Sequence, residues 1–423
     1  MSNRPTKLRY VALAWLTVAS ALAYLCRNTT GVAESAIREE LNLTLEQSGW
    51  FMGAFFWSYA IFQVPGGWLS ERLGTRVALS LFAIMWSVAM LGTGLAPGFW
   101  LLIVAQLTMG VAQAGVLPAS CNSIGHWMPL SQRSLACGIL GAGMQVGAIV
   151  ASGLAGLMMI SIGWRSIFVA FAIPGVFWTI GFLARFRDDP AEVLPADSSE
   201  LALIRAGRPV DESPATRKTS ELEELLALAR SPTIWWLCGQ QICRSAGYMF
   251  FASWFPTFLQ VTRGVSVEQS GYLQSFVLTG SLTGVICGGM LTDWVWRRTA
   301  NLRLSRSGVG AASLGACSVV ILVAWFAMSL ELVVALMALG AFLAAFAGPC
   351  AFAATIDIGG PRVPQVFGVV NMSGNFAAAI CPVLVGVMFQ WTSNWNVILL
   401  MFAGVFLAGA ACWVFVNPQR RVR

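Results

Sequence analysis

Twelve apolar runs, each long enough to cross a lipid bilayer, follow one another along this chain, and that feature leaves few folds open. A helix needs about 20 apolar residues to span the hydrocarbon core. Within lipid every backbone N–H and C=O must be satisfied by the protein itself, so such runs predict helices. They fall at 9–36, 47–69, 77–96, 98–122, 134–161 and 166–185, then at 232–260, 270–292, 307–329, 331–357, 364–390 and 395–416. The expected fold class is an all-α membrane protein with twelve transmembrane helices in two six-helix halves. The halves are residues 1–186 and 232–423. Between them, 187–231 is a polar cytoplasmic linker containing Pro190, Pro195, Pro209 and Pro214. Its stretch Glu221-Leu222-Glu223-Glu224-Leu225-Leu226 predicts a short amphipathic helix on the inner membrane surface.

Charge supports this class and gives it an orientation. Charged residues are only 11% of the sequence against 57% hydrophobic, whereas a soluble domain carries about 25% charged residues. Arg4, Lys7 and Arg9 precede an apolar run through Ala21-Leu22-Ala23, in the manner of a signal peptide. The run continues through Gly31-Val32-Ala33, so it is read as a retained first helix. Of the 26 Lys and Arg residues, 21 lie on the side shared by both termini and three (Arg38, Arg165, Arg263) on the opposite side. Basic residues concentrate on the cytoplasmic face, which predicts an inner-membrane protein with both termini in the cytoplasm. The positive charge then faces anionic headgroups, and no nucleic-acid partner is needed to explain it.

The same residues exclude most chemistry. The ten cysteines are scattered singly and the one histidine, His126, lies at the inner end of the fourth span, so neither a metal site nor a cofactor is expected. The cysteines read as small packing residues. No cluster of acidic residues lies within the spans, which argues against a membrane enzyme.

The two halves repeat one another. Glu46-Gln47-Ser48-Gly49-Trp50 opens the second span and Glu268-Gln269-Ser270-Gly271-Tyr272 the eighth, an offset of 222 residues. At the same offset Gly67-Trp68-Leu69-Ser70-Glu71 corresponds to Gly289-Met290-Leu291-Thr292-Asp293. Duplicated halves of like orientation predict a substrate site between them near mid-membrane.

The run from Gly67 to Arg76, Gly-Trp-Leu-Ser-Glu-Arg-Leu-Gly-Thr-Arg, resembles the loop signature of the major facilitator superfamily, with Glu71 in place of the usual Asp. The resemblance implies an inner-face latch built from Gly67, Glu71, Arg72, Gly74 and Arg76, with Asp293 as the second-half counterpart. A solvated basic loop is the simpler alternative. Phe55-Phe56-Trp57-Ser58-Tyr59 through Gly67, Gly163-Trp164-Arg165, Ser253-Trp254-Phe255-Pro256 and Asn371-Met372-Ser373-Gly374-Asn375 resemble the anion:cation symporter family within that superfamily. That resemblance implies a monomeric carrier of a small organic anion, a sugar acid or another carboxylate, working by alternating access. Its coupling partner is H+ or Na+.

Arg27 is the first candidate for binding the anion, because the family has an Arg at this place in the first span. A guanidinium inside a span needs a partner, and its planar fork suits a carboxylate or phosphate. A structural pair with Glu34, seven residues on, is the competing role. Arg244 on the seventh span, with Gln241 and Tyr248 on the same face, is a second cation, the competing partners there being a backbone carbonyl or Asp357. Tyr24, Tyr59, Gln63, Gln113, Gln145, Asn371 and Asn375 are further binding candidates, each equally able to bond another helix.

The family's proton carriers are replaced. Cys26 stands where an Asp is usual, Gln113 where a Glu is usual, and Gln106 where an Arg is common. Glu34 and Asp357 remain as coupling candidates, and without them the chain is a uniporter or an exchanger. An organophosphate:phosphate antiporter, with Arg27 and Arg244 clamping a phosphate, is the nearest rival. A membrane sensor that moves nothing is the rival of another class.

Overall fold

A computed structural model of the chain describes residues 7–195, 198–205 and 230–419. The expected amphipathic helix at Glu221–Leu226 lies outside them. The described residues form α1 (Leu8–Glu40), α2 (Leu45–Ile61), α3 (Gln63–Gly94), α4 (Phe99–Ala114), α5 (Val116–Trp127), α6 (Arg133–Arg185) and a short α7 (Ser199–Arg205). They continue with α8 (Pro232–Met249), α9 (Phe255–Arg263), α10 (Val267–Thr299), α11 (Val309–Trp325), α12 (Leu330–Gly359), α13 (Val363–Thr392) and α14 (Trp395–Phe415).

Ten segments among the described residues are long and apolar enough to cross a membrane. α3 and α6 each hold two helices joined at a glycine, Gly74 at φ 75° and Gly163 at φ 70°. Only glycine adopts that left-handed backbone without strain. The second pass (α2 and the start of α3) and the seventh (α8, a π-helical turn at Phe250–Trp254, and α9) complete the expected twelve. This is a multi-pass membrane protein. Bulky residues such as Trp100, Phe177, Phe326 and Trp391 are exposed, as lipid-facing positions of such helices should be.

Two spans read as continuous are broken, and proline accounts for both. α2 ends at Ile61, four residues before Pro65, and α4 ends at Ala114, four before Pro118. A proline ring clashes with the carbonyl four residues back and donates no hydrogen bond there. Cys287 occupies the place of Pro65 in the second half, and α10 runs through it unbroken.

The repeat is written into the caps. Thr44 Oγ1 accepts from Gln47 N at 3.1 Å to start α2, and Ser266 Oγ accepts from Gln269 N at 3.2 Å to start α10. A side-chain cap of this kind stabilises a helix by about 1 kcal/mol.

The helices gather in two compact units. The first comprises Met1–Leu130, Ile139–Val210 and Arg362–Gly368; the second comprises Ser131–Gly138, Asp211–Pro361 and Val369–Arg423. Each unit is closed by a glycine contact at equivalent places in the repeat. A Cβ on Gly67 would come within 2.4 Å of Pro364 O, and one on Gly289 within 2.7 Å of Ser134 O. Only a residue without a side chain lets these backbones approach so closely.

Candidate functional site

In the first unit, Arg27 of α1 lies among four aromatic rings. Its guanidinium carbon is 4.7 Å from the Phe55 ring centre, 4.9 Å from Phe56, 5.2 Å from Tyr59 and 5.3 Å from Tyr24. Rings at this range attract a cation through their quadrupole, by about 0.5–2 kcal/mol each. No hydrogen bond or ion pair joins Arg27 to another of the described residues. Among the described residues its N–H donors are therefore uncommitted. The alternative pairing with Glu34 is not formed: Glu34 accepts from Arg38 Nε at 2.9 Å and from Ser48 Oγ.

A small cavity adjoins this cage across the Tyr24 and Tyr59 rings. Ser20, Ala23, Tyr24, Tyr59, Gln113, Val116, Leu117 and Met144 line it. The break between α4 and α5 brings Gln113, Val116 and Leu117 to it. Gln113 donates its amide N–H to Ala23 O at 2.8 Å and meets Met109 Sδ at 3.2 Å. Gln106 donates to Thr30 Oγ1 at 3.1 Å, and the Cys26 thiol faces Phe171 O at 3.7 Å. The three substitutions noted in the sequence thus form neutral bonds between helices. Gln145 is half-buried on α6 beside Met144, and Gln63 is buried at the start of α3, where its carbonyl abuts Gly368.

In the second unit, Arg244 of α8 donates to Gln241 Oε1 from Nη2 at 3.2 Å and from Nε at 3.3 Å. Gly374 of α13 packs directly on Gln241 and Ser245. Asn375 Nδ2 donates to Asn371 O at 3.0 Å, and Tyr248 is half-buried one turn beyond Arg244.

Asp357 belongs to a different cluster. It is ion-paired to Arg133 and, through Oδ2 at 3.1 Å, to Arg306 Nε. Arg306 in turn reaches Asp293 Oδ1 at 3.4 Å. Asp293 also accepts from the backbone N–H of Ser134 at 3.1 Å and of Leu135 at 2.7 Å, capping the first turn of α6. Two cations and two carboxylates so buried satisfy one another, which is the condition for keeping charge out of water.

The equivalent residue in the first unit, Glu71, accepts from Gln365 Nε2 in the first turn of α13. The Arg72 guanidinium lies 3.7 Å from the Trp68 ring centre. Arg76 donates from Nε to Leu183 O at 2.9 Å, and its backbone N–H donates to Asp188 Oδ1 at 2.9 Å. Burial pushes the Asp188 carboxyl above the ordinary carboxylate range, against these backbone bonds.

Sequence reasoning left out Phe55 and Phe56 as neighbours of Arg27, Ser20 as a cavity-lining residue, and Arg133 and Arg306 as a buried pair. For the first three a signal existed. Ser20, Tyr24 and Arg27 follow i, i+4, i+7 spacing on one face, and an aromatic run faces a lone intramembrane cation. For Arg133 and Arg306 none existed, because loop arginines obeying the positive-inside rule look the same whether buried or solvated.

Comparison with known proteins gives this geometry a family. A probable sulfoacetate transporter of Cupriavidus necator is 26% identical over 97% of this chain and 94% of its own length. A probable galactarate/D-glucarate transporter of Bacillus subtilis is 26% identical over 100% of this chain and 94% of its own. A D-galactonate transporter of Escherichia coli is 26% identical over 99% of this chain and 98% of its own. A solved proton:xylose symporter bound to 6-bromo-6-deoxy-D-glucose shares the fold at a TM-score of 0.74 and 14% identity, over 98% of this chain and 97% of that one. The family model of the Major Facilitator Superfamily matches residues 16–323, and the chain belongs to that superfamily of transporters.

Proposed function

We propose that this protein is a secondary transporter of a small organic anion, a carboxylate above all. It works by alternating access in the inner membrane, with Arg27 as the residue that binds the anion. The observation that carries the reading is a permanently charged guanidinium inside a span, held by four rings and bonded to no carboxylate among the described residues. Rings stabilise the cation without using its N–H donors, so an incoming carboxylate can take two parallel hydrogen bonds. An anion there neutralises the charge and lowers the cost of closing the site to water. The relatives' names, which specify sulfoacetate, sugar diacids and galactonate, support an anionic substrate. Arg244 is the second cation we assign to binding.

We further propose that no proton binds at this site. Cys26, Gln106 and Gln113 form neutral interhelical bonds, Glu34 is held by Arg38 and Ser48, and Asp357 is held by two arginines. Exchange, uniport or coupling to Na+ are the modes that agree with this reading.

Uptake of radiolabelled organic acids into proteoliposomes tests the assignment. Arg27→Gln should reduce uptake by about 100-fold or more, the cost of losing a desolvated charge-assisted contact, while inserting normally. Uptake by that variant at the parent rate would remove Arg27 from the site. Stabilisation of the parent by sugar phosphates alone, with no response to carboxylates, would move the assignment to a phosphate antiporter.

A further inference from the structure

We propose that the docked stretches of the linker, 187–195 and 198–205, form a strap that clasps the starts of the first and third spans together and stays closed through the transport cycle. The clasp is read from the first unit alone; its place in the cycle rests on the transport reading.

Both helices begin without the groups a helix start needs. The first N–H groups of a helix have no partner within it, and the positive end of its dipole favours a carboxylate there. α1 begins at Leu8 with no side-chain bond from its cap residue Lys7 and no acidic residue in its first turn. Arg9 adds a positive charge at that end. The third span resumes after the break at Gly74 with Thr75 and Arg76, again a basic first turn.

The linker supplies both missing carboxylates. Glu200 Oε1 accepts from the backbone N–H of Arg9 and from Arg9 Nη1, each at 3.2 Å. The Glu200 side chain is fully buried and that of Arg9 is 8% exposed. Around the pair, Leu194, Leu201 and Ile204 are buried together and Leu8 packs on them. A helix as short as α7 is unstable by itself, so this docking holds it, with Ser198 Oγ accepting from Leu201 N at 3.2 Å. Asp188 Oδ1 accepts from the backbone N–H of Arg76 at 2.9 Å, and a Cβ on Gly74 would come within 2.5 Å of Asp188 Oδ2. Between these two anchors and the fourth span, Trp127 Nε1 donates to Arg187 O at 3.0 Å. Opening the clasp would break a buried ion pair and bare the apolar cluster beneath it. The first and third spans therefore move as one piece.

Amide exchange on the purified full chain reads the clasp directly, because the linker bonds the Arg9 and Arg76 N–H groups. Glu200→Ala should speed exchange across residues 8–11 by about fivefold or more, the worth of a lost cap, and Asp188→Ala should do the same across 75–78. Unchanged exchange in both variants overturns the clasp. Arg9→Cys with Glu200→Cys then tests its place in the cycle by proteoliposome uptake. With free thiols, turnover should fall severalfold while the Kd for the transported acid is unchanged. A short bis-methanethiosulfonate bridge, a covalent replacement for the ion pair, should restore turnover. Parental turnover with free thiols overturns the inference, and so does a Kd weakened as much as turnover. Turnover abolished by the bridge and recovered on reduction shows a clasp that must open, which also overturns it. If the parent takes up no organic acid, the transport reading falls and the exchange measurement still decides the clasp.

Discussion

Asp357→Asn distinguishes a coupling carboxylate from a structural one. The side chain is buried and joined to Arg133 and Arg306, and the four-member cluster with Asp293 has two positive and two negative charges. The substitution leaves that buried cluster with one excess positive charge. Removing one partner of a buried ion pair costs about 3–5 kcal/mol. Arg306 keeps Asp293 at 3.4 Å, which places the expected loss at the lower end, about 3 kcal/mol. In a unit of this size each kcal/mol corresponds to about 2–4 °C, so the apparent Tm should fall on the order of 10 °C. Thermal unfolding of the detergent-purified protein measures it. Adding Arg133→Gln restores a neutral cluster and should recover at least half of the loss, since the two sites are in contact and do not add independently. An Asp357→Asn variant with parental Tm but an altered pH dependence of uptake would refute the argument and return Asp357 to proton coupling.

Two further outcomes follow from the geometry. Gln113→Glu replaces an amide that donates to Ala23 O; a protonated carboxyl can keep that bond and a carboxylate cannot, so uptake should rise from about pH 8 to pH 5. A flat pH profile in that variant would count against Gln113 facing the transport path. Glu40, at the C-terminal end of α1, is held below the ordinary carboxylate range, first by its hydrogen bond from Arg165 Nε and then by that from Trp164 Nε1. Its stabilising contribution is therefore present above about pH 4 and lost as pH falls through the depressed value. Because the pair is half-exposed, Glu40→Gln should cost under about 1 kcal/mol at neutral pH. That difference from the parent should shrink on acidification in a pH series of unfolding curves, and growth of the gap would contradict it.

The candidate site was partly legible before any tertiary contact was known. Arg27 could be singled out because a cation inside an apolar run is costly wherever the run ends up. Tyr24 and Tyr59 accompanied it through helical spacing and family-like segments. Phe55 and Phe56 were quoted in the same segment, yet nothing local says which of five consecutive aromatic and polar residues turn toward a cation on another helix.

What the sequence determined by itself is the twelve passes, the grouping of basic residues on one face and the 222-residue repeat. These depend on the apolar length of each run, on charge and on local caps such as Thr44 with Gln47 and Ser266 with Gln269. All are properties of neighbours in the chain. Tertiary structure alone decided that Glu34 pairs with Arg38 and Ser48 while Arg27 lies among aromatic rings. It also decided that Asp357 meets Arg133, 224 residues away. A buried charge takes whichever partner packing brings within reach, and packing joins residues whose separation along the chain carries no record of it.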